Sequence, residues 1–299
     1  MTFSVDSWPT ADDVDKYAHD LKIDRDVVIR DIVRTITVAQ LVHDETLGND
    51  WVLAGGMAMR LRGSPRFTVT DADTSKREGW PDRESLSEAL TIDADELTVA
   101  PADYLAWKSR NDILHAHPVN YEAFFAAVGA GSIVGEFKFT VSWRGLVEPA
   151  QKIPLRHPYK QLALPPTQVP VMDLTEQAAE KVVGWCANGL VKHYSDLAWI
   201  FWRLRNEVQD DKLARLVVSK LDAGRKRFPN EYATFPDLAS VISPLLDPDD
   251  RVPPPLGDPE DDGRRYIRFV STGVNTHLNQ AQNKRIVRER VVPLLQAAA

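Results

Sequence analysis

Residues 51–76 read WVLAGGMAMRLRGSPRFTVTDADTSK, and their pattern is the most informative in the sequence about secondary structure. Its first four residues form a short apolar run that ends at Gly55-Gly56, which is typical of a buried strand followed by a glycine turn. The next segment, MAMRLRG, predicts a helix that ends at Gly63. After it, residues 66–73 (RFTVTDAD) alternate in the manner of a second strand. The stretch therefore predicts a strand, a glycine turn, a helix and a strand, in that order.

The second strand carries two acids, Asp71 and Asp73, two positions apart. On a strand their carboxylates leave the same face about 7 Å apart, so the two can bind one divalent ion. Mg²⁺, or Mn²⁺ in its place, takes carboxylate oxygens together with substrate phosphate oxygens, which is the arrangement used in nucleotidyl transfer. An Asp-x-Asp pair is also frequent at turns, so a plain loop after the strand is the alternative interpretation.

The glycine turn is a candidate phosphate site. Gly55 and Gly56 open a helix, so backbone N–H groups and the positive helix end could receive a triphosphate. Glycine also lets the backbone approach a ligand closely. The alternative is a plain tight turn, because the longer phosphate-loop and dinucleotide patterns are both absent from the sequence.

The rest of the first half indicates an α+β fold with a mixed sheet flanked by helices. Residues 26–45 place apolar side chains at helical spacing and predict an amphipathic helix. Residues 97–100 (LTVA) and 136–143 (EFKFTVSW) predict further strands. Between these strands, residues 121–128 predict a helix.

Prolines mark a domain boundary between residues 148 and 171, because they are too many for a regular helix or a central strand. They are Pro149, Pro154, Pro158, Pro165, Pro166 and Pro170. We therefore predict a sheet domain at residues 1–170 and a helical domain at residues 171–299.

The second domain begins with a well-marked helix. Asp173 and Glu176 form an Asp-x-x-Glu start signal, and Asn188-Gly189 form a stop signal. Further helices are predicted up to about residue 205 and at residues 211–223, 234–246 and 264–296, with an acidic, proline-rich loop at residues 247–262.

The corner at Gly189 brings a lysine and an acid within reach of each other. On one straight helix Lys181 and Asp196 would be about 22 Å apart, whereas a turn at Gly189 sets them about 12 Å and 10 Å from the corner and side by side. Lys181 could then bind a β- or γ-phosphate, with Asp196 positioning it or taking the proton of an attacking hydroxyl. A structural salt bridge between two helices is the alternative.

The bulk composition is that of an ordinary globular chain, with 299 residues, 43% hydrophobic residues and a net charge of −7. The sequence shows no basic, apolar leader and no run near the roughly 18 apolar residues of a membrane span, so we expect a cytoplasmic protein with no membrane contact. The one cysteine, Cys186, can form neither an internal disulfide nor a CxxC zinc site.

Positive charge is concentrated in residues 181–230, which contain ten Lys or Arg against five acids. Within an acidic chain, such a segment is typical of a surface for a polyanion. Charges that merely decorate the solvent face of helices are the alternative. The ten cations are Lys181, Lys192, Arg203, Arg205, Lys212, Arg215, Lys220, Arg225, Lys226 and Arg227.

Three pieces of the chain resemble one known family. They are WVLAGGMAMRLRG at residues 51–63, RFTVTDADTSK at residues 66–76 and EKVVGWCANGLVKHYSDLAWI at residues 180–200. In this order and spacing they resemble the AbiEii-like nucleotidyltransferase toxins, which include the MenT-type toxins of mycobacterial toxin–antitoxin pairs. The resemblance spans most of the chain and implies a polymerase-β-like nucleotidyltransferase domain followed by a helical domain.

The resemblance implies a metal-dependent transfer of nucleotides from an NTP. For MenT-type members the acceptor is the 3′ end of tRNA, and its extension blocks aminoacylation and translation. A cognate antitoxin is implied as a partner. Carried over position by position, the resemblance assigns the metal to Asp71 and Asp73, the nucleotide to Gly55, Gly56, Arg66 and Lys181, and the final acid to Asp196.

Two threonines lie where the sequence departs from the family. The segment from Arg66 to Asp71 is one residue longer than the family pattern, so either Thr68 or Thr70 takes the family's hydroxyl position. Phosphorylation of either would add about −1.5 to −2 charge beside the acids and repel metal and triphosphate. We therefore predict that Thr68 or Thr70 is a silencing site.

A third carboxylate is the other departure. Many polymerase-β-like enzymes place one in the strand that here reads EFKFTVSW, which has Thr140 at the inward position and Glu136 near its start. The family's Arg-Asp pair before the last acid is replaced by Lys192-His193. A reduced, single-metal site fits this pattern.

Two other functions are consistent with the same residues. One is nucleotidyl transfer to a small molecule or a protein hydroxyl, against which the basic segment argues mildly. The other is a non-catalytic NTP-binding partner module, which the missing third carboxylate would explain.

Overall fold

The chain forms two compact units. The first comprises Met1–Leu146 and Ala150–Val171, and the second comprises Val147–Pro149 and Met172–Ala299. The computed structural model describes residues 9–44, 48, 50–64, 71–76, 106–110, 120–129, 132–142, 148–227, 229–248 and 278–299. The chain passes from the first unit to the second for the last time after residue 171. This position is next to the domain boundary that the prolines predict at residue 170.

The first unit is built on a mixed sheet of seven described strands in the order β3-β4-β5-β2-β1-β7-β6. The β2–β5 and β1–β7 pairs are parallel, and the other pairs are antiparallel. The strands are β1 (Trp51–Leu53), β2 (Asp71–Lys76), β3 (Ala106–Arg110), β4 (Asn120–Gly129), β5 (Ser132–Ser142), β6 (Gln151–Pro154) and β7 (Gln168–Val171).

Among the described residues of this unit, three helices accompany the sheet, namely α1 (Ala11–Leu21), α2 (Arg25–Asp44) and α3 (Gly55–Leu61). The helix predicted at residues 26–45 is confirmed, since α2 differs from it by one residue at each end. Most of its apolar side chains are fully buried and share one core with Trp51 and Leu53 of β1. Burial of each large aliphatic side chain contributes about 1.5–3 kcal/mol, so this core fixes α2 on the sheet.

The helix predicted at residues 121–128 is wrong, because this segment lies within strand β4. Aromatic residues such as Tyr121 and Phe124 fit a pleated sheet well, and the three alanines of the segment are compatible with either structure. β4 forms antiparallel ladders with β3 on one side and β5 on the other. Hydrogen bonds to both neighbouring strands satisfy the backbone of this segment, and this pairing outweighs its local helix propensity.

The exclusion of a central strand by the prolines is also wrong at one place. β7 contains Pro170 and lies between β1 and β6. Its ladder with β1 consists of the single pair Leu53 and Val171, so the missing N–H of Pro170 is not required there. Pro154 ends β6, which lies at the edge of the sheet, where proline is tolerated.

Three further strands were predicted for the first unit, and two of them lie partly or wholly outside the described residues. The strand predicted at residues 136–143 is confirmed within β5. For the strand predicted at residues 66–73, the described part begins at Asp71, because residues 65–70 lie outside the described residues. The strand predicted at residues 97–100 also lies outside them.

The second unit is helical, as predicted. The helices in its described residues are α4 (Leu174–Asn188), α5 (Val191–Arg203), α6 (Asp210–Arg227), α7 (Pro229–Tyr232), α8 (Ile242–Leu246), α9 (Gln280–Ile286) and α10 (Val292–Gln296), with a π-helical turn (Val287–Val291) between the last two. The helix predicted at residues 234–246 is wrong in its first part, where only a 3₁₀ turn (Ala239–Val241) precedes α8. Most of the predicted loop at residues 247–262 lies outside the described residues.

The ends of α4 follow the predicted signals in part. The Asp173 carboxylate caps the helix by accepting from the N–H groups of Thr175 and Glu176. The Glu176 side chain does not complete a capping box, because it accepts from the N–H of Glu148 and pairs with Lys220. None of the helices described has both the length and the apolarity to cross a membrane.

Candidate active site

The glycine turn and the second acid of the Asp-x-Asp pair are in contact. Gly55 has a φ of +61°, and a Cβ built on it would lie 2.2 Å from Oδ2 of Asp73. The N–H of Ala54 donates to the backbone carbonyl of Asp73 at 2.8 Å, which fixes the end of β1 beside β2. Only glycine fits at position 55, because both the backbone angle and the carboxylate exclude a side chain.

The backbone register shows which β5 residue stands opposite the acid pair. In the parallel β2–β5 ladder, Asp71 pairs with Lys138 and Asp73 pairs with Thr140. Glu136 lies outside that ladder and pairs with β4. Thr140, and not Glu136, is therefore the neighbour of Asp73.

An acid that the sequence reading missed lies in the same cross-strand row. Thr140 pairs on its other side with Glu122 of β4, so Asp73, Thr140 and Glu122 occupy three successive strands. The helix predicted at residues 121–128 concealed this relationship. The three aromatic residues of that segment, Tyr121, Phe124 and Phe125, are the signal that could have revealed a strand.

The donors at β2 suit a hard divalent cation. Asp73 is partly buried beside the glycine turn, and Asp71 stands two residues earlier in the same strand. Within the described part of the chain, no three His, Cys, Asp or Glu side chains gather in a way that could hold a metal ion. Two carboxylates are nevertheless enough for Mg²⁺, because this ion keeps waters and substrate phosphate oxygens as its other ligands.

The far end of α3 is fixed to α2 by a buried polar cluster. A guanidinium nitrogen of Arg60 lies 2.7 Å from Oδ2 of Asp31, and the Tyr159 hydroxyl donates to the same oxygen at 2.5 Å. Burial, and next the neighbouring Asp31, raise the pKa of Tyr159 well above its ordinary value of 10.0, so this hydroxyl keeps its proton. Since α3 has only seven residues, this cluster also orients the glycine turn at its start.

Lys181 and Asp196 lie side by side, and the pairing predicted from the Gly189 corner is confirmed. The Lys181 ammonium is 2.7 Å from Oδ2 of Asp196, and the two side chains are only 6% and 3% exposed. Gly189 caps α4 with a φ of +64°. Gly184 lets the two helices approach closely, because a Cβ there would lie 3.0 Å from the ring of His193.

The C-terminal helices hold α5 next to this ion pair. The Asn283 amide donates to the Ser195 hydroxyl at 3.2 Å, and Asn283 is buried. The Arg290 guanidinium donates to the carbonyl of Phe201 at 2.8 Å, near the end of α5. Asn283 was not singled out from the sequence, because it is 88 residues from Ser195 and belongs to no local motif.

A family model identifies the protein family to which the chain belongs. A family model described as nucleotidyl transferase AbiEii toxin, type IV TA system, matches residues 39–270, which is more than half of the chain. The chain belongs to the AbiEii nucleotidyltransferase toxin family. This confirms the resemblance seen in the three sequence pieces. Nucleotidyltransferases of this kind use an NTP and a divalent metal ion, and a type IV toxin implies an antitoxin.

The comparison with solved structures supports the AbiEii fold. MenT4, a nucleotidyltransferase toxin from Mycobacterium tuberculosis, is 18% identical with a TM-score of 0.54 over 95% of this chain and 98% of its own. JHP933 from Helicobacter pylori is 14% identical with a TM-score of 0.46 over 89% of this chain and 88% of its own. At such identity the MenT4 match establishes the fold alone, and it confirms the predicted fold class. No curated protein matched the sequence.

The residues assigned to the AbiEii site fall into both units. Gly55 and Asp73 are in contact within the first unit, and Lys181 and Asp196 are in contact within the second. Gly56 is buried in the first turn of α3. Three further candidates, Arg66, Thr68 and Thr70, lie outside the described residues.

Much of the basic segment of this AbiEii chain is neutralised internally. Lys220, which is 4% exposed, pairs with Glu176 and Glu180, and the same segment contains five other paired cations. The six paired cations are Lys181, Arg205, Lys212, Arg215, Lys220 and Arg225. The net excess of positive charge in the sequence therefore overstates the charge available to a polyanion.

Proposed function

We propose that this toxin transfers nucleotides from an NTP to the 3′ end of tRNA, which blocks aminoacylation and translation. The observation that carries the proposal is the contact of Gly55 with the carboxylate of Asp73. It sets a backbone turn suited to phosphates directly beside an acid suited to a metal ion. An isolated glycine turn or an isolated acid pair would not require such close contact.

The proposal assigns the metal to Asp71 and Asp73, with Mg²⁺ or Mn²⁺ as the ion. An ion bound there supplies electrostatic stabilisation to the phosphoryl group that is transferred. The backbone of Gly55 and Gly56 approaches the triphosphate, and Arg66 adds a cation to it. The acceptor hydroxyl oxygen bonds to the α-phosphorus and its proton passes to water. The bond between the α-phosphorus and the oxygen that bridges it to the β-phosphorus breaks, and pyrophosphate leaves.

Lys181 is proposed to bind the β- or γ-phosphate. Its ammonium has three N–H donors, and the contact with Asp196 occupies one of them. Asp196 is 3% exposed and lies 2.7 Å from that ammonium, which favours a positioning role for Asp196 over that of a general base. The ion pair with this buried carboxylate offsets part of the free-energy cost of burying the ammonium.

Labelling of tRNA tests this function. The toxin is incubated with total tRNA, Mg²⁺ and each labelled NTP in turn, beside a variant that carries Asp71→Ala and Asp73→Ala. Label is expected in tRNA with the wild type only. Absence of label with the wild type, or equal label with the variant, contradicts the proposal.

Other outcomes of the same experiment identify other functions. Asp71-dependent label in a protein or a small molecule instead of tRNA identifies a different acceptor. Calorimetric NTP binding without product under any divalent metal identifies a non-catalytic binding module.

A further inference from the structure

We propose that one partly exposed face of α5, formed by Lys192, Trp199 and Arg203, binds the unpaired 3′ end of the RNA acceptor. Trp199 stacks on a base, and the two cations contact phosphates on either side. The inference rests on the proposed function, since it names the surface that brings the acceptor to the site.

The three residues form one line along the helix. They stand seven and four residues apart, the spacing that places side chains on the same side of a helix. Lys192 and Trp199 are partly exposed and Arg203 is exposed, whereas Leu197 and Phe201 on other sides of α5 are fully buried. From Lys192 to Arg203 the face is about 16 Å long, which is enough to follow more than one nucleotide.

The two cations of this face are available to an external anion. Neither Lys192 nor Arg203 forms an ion pair with any residue in the described ranges, in contrast to the six paired cations of the same basic segment. Arg203 lies with its guanidinium 3.8 Å over the ring of Trp202, which holds it without neutralising it. Two of the unpaired cations of this segment therefore lie on the same face of α5 as Trp199.

This face also borders the ion pair. Asp196 lies four residues after Lys192 and three residues before Trp199, so it is on the flank of the same line. Asp196 contacts Lys181, the residue proposed to bind the NTP phosphates. A strand lying along the α5 face would consequently pass close to Lys181 and Asp196.

The chemistry of the face favours single-stranded nucleic acid. Every base has an aromatic face that can stack on tryptophan, and cations spaced along a groove follow the phosphates without reading sequence. A duplex offers no free base to Trp199, so an unpaired end is the matching form of RNA. An acidic peptide suits this face less well than single-stranded RNA. Its carboxylates can pair with the two cations, but they have no flat ring that stacks on Trp199.

The binding test uses tRNA that lacks its terminal 3′-hydroxyl, so that affinity is measured without turnover. Trp199→Ala and the double variant Lys192→Ala/Arg203→Ala are expected to weaken binding of this tRNA about 5- to 100-fold. Trp199→Phe, which keeps an aromatic face, should retain most of the affinity. The matched control is Lys226→Ala in α6, because Lys226 is exposed and also unpaired within the described ranges.

Kinetics on intact tRNA give the second readout. The KM for tRNA should rise in Trp199→Ala and in the double variant, while the KM for NTP and the melting temperature stay near those of the control. Unchanged tRNA affinity in both variants overturns the inference and leaves the face to a protein partner. Failure of the wild type to label tRNA would instead overturn the proposed function, and the binding test would still decide the role of α5.

Discussion

The ammonium of Lys181 lies 2.7 Å from the carboxylate of Asp196, although fifteen residues separate them in the chain. Both side chains are almost completely buried. An ion pair in this position serves stability and chemistry together, and the two contributions can be separated by mutation.

Removal of one partner of this pair should destabilise the fold. Asp196→Ala is expected to cost about 3–5 kcal/mol in denaturant unfolding, because it leaves the Lys181 ammonium buried without its counter-charge. The double variant Lys181→Met/Asp196→Leu should recover most of that free energy, since neither charge remains. Its transfer activity should remain absent. Recovery of activity in the double variant would show that the pair is only structural.

The contact at the glycine turn predicts different results for two glycines with positive φ. Gly55→Ala should abolish transfer activity, because its Cβ would lie 2.2 Å from Oδ2 of Asp73. Gly63→Ala is the control, since Gly63 has a φ of +90° but no atom within 4 Å of an added Cβ. The control should lose only about 1–2 kcal/mol from backbone strain and keep its activity. Equal activity in the two variants would contradict the role of the turn.

Local signals were sufficient for several parts of the fold and the candidate site. The apolar periodicity of residues 26–45, the Asp173 cap and the Gly189 corner each depend on neighbouring residues, and each was predictable. The pairing of Lys181 with Asp196 followed from the corner, because helix rise fixes distances on either side of a turn.

Long-range contacts were beyond local signals. Residues 121–128 form a strand because β3 and β5 pair with them on both edges, and no local pattern specifies that pairing. Asp31 accepts from Tyr159 across 128 residues of sequence. Contacts of this kind depend on topology, so a single sequence read by its periodicity does not reveal them.

The contacts of the C-terminal helices with α5 provide a second pair of matched variants. Asn283→Ala removes the hydrogen bond to Ser195 of α5, which is next to Asp196. Arg290→Ala removes the hydrogen bond to Phe201, which is further along the same helix. Each should cost about 1 kcal/mol of stability. Only Asn283→Ala should lower kcat and raise the KM for NTP, because it frees the helical turn whose Asp196 positions Lys181 on the NTP phosphates. Equal losses of kcat in the two variants would argue for a general effect on stability.

The polar cluster at α3 predicts a pH dependence of stability. His157 stacks on Tyr159, and burial lowers its pKa below 6.5, against the opposing influence of Asp31 and with a smaller lowering from Arg60. Above pH 6.5 the imidazole is neutral in both the folded and the unfolded chain, so it does not make the free energy of unfolding depend on pH. As the pH falls below that value, the unfolded chain takes up the proton first, so stability is lost until the folded pKa is reached.

Thermal unfolding between pH 7.5 and pH 5 of the wild type and His157→Gln checks this expectation. The variant should lose less stability over that range. A steeper loss in the variant would mean that His157 is stabilised as the cation, contrary to its burial.

The most direct test of the central claim is the 3′-terminal sequence of tRNA from cells that express the toxin. Expression of the wild type should leave tRNA with additional 3′ nucleotides, whereas Asp73→Asn at the same protein level should leave the ends unchanged. Growth arrest with unaltered tRNA ends, or equal extension by Asp73→Asn, would contradict the proposal that the toxin extends tRNA and needs Asp73 to do so.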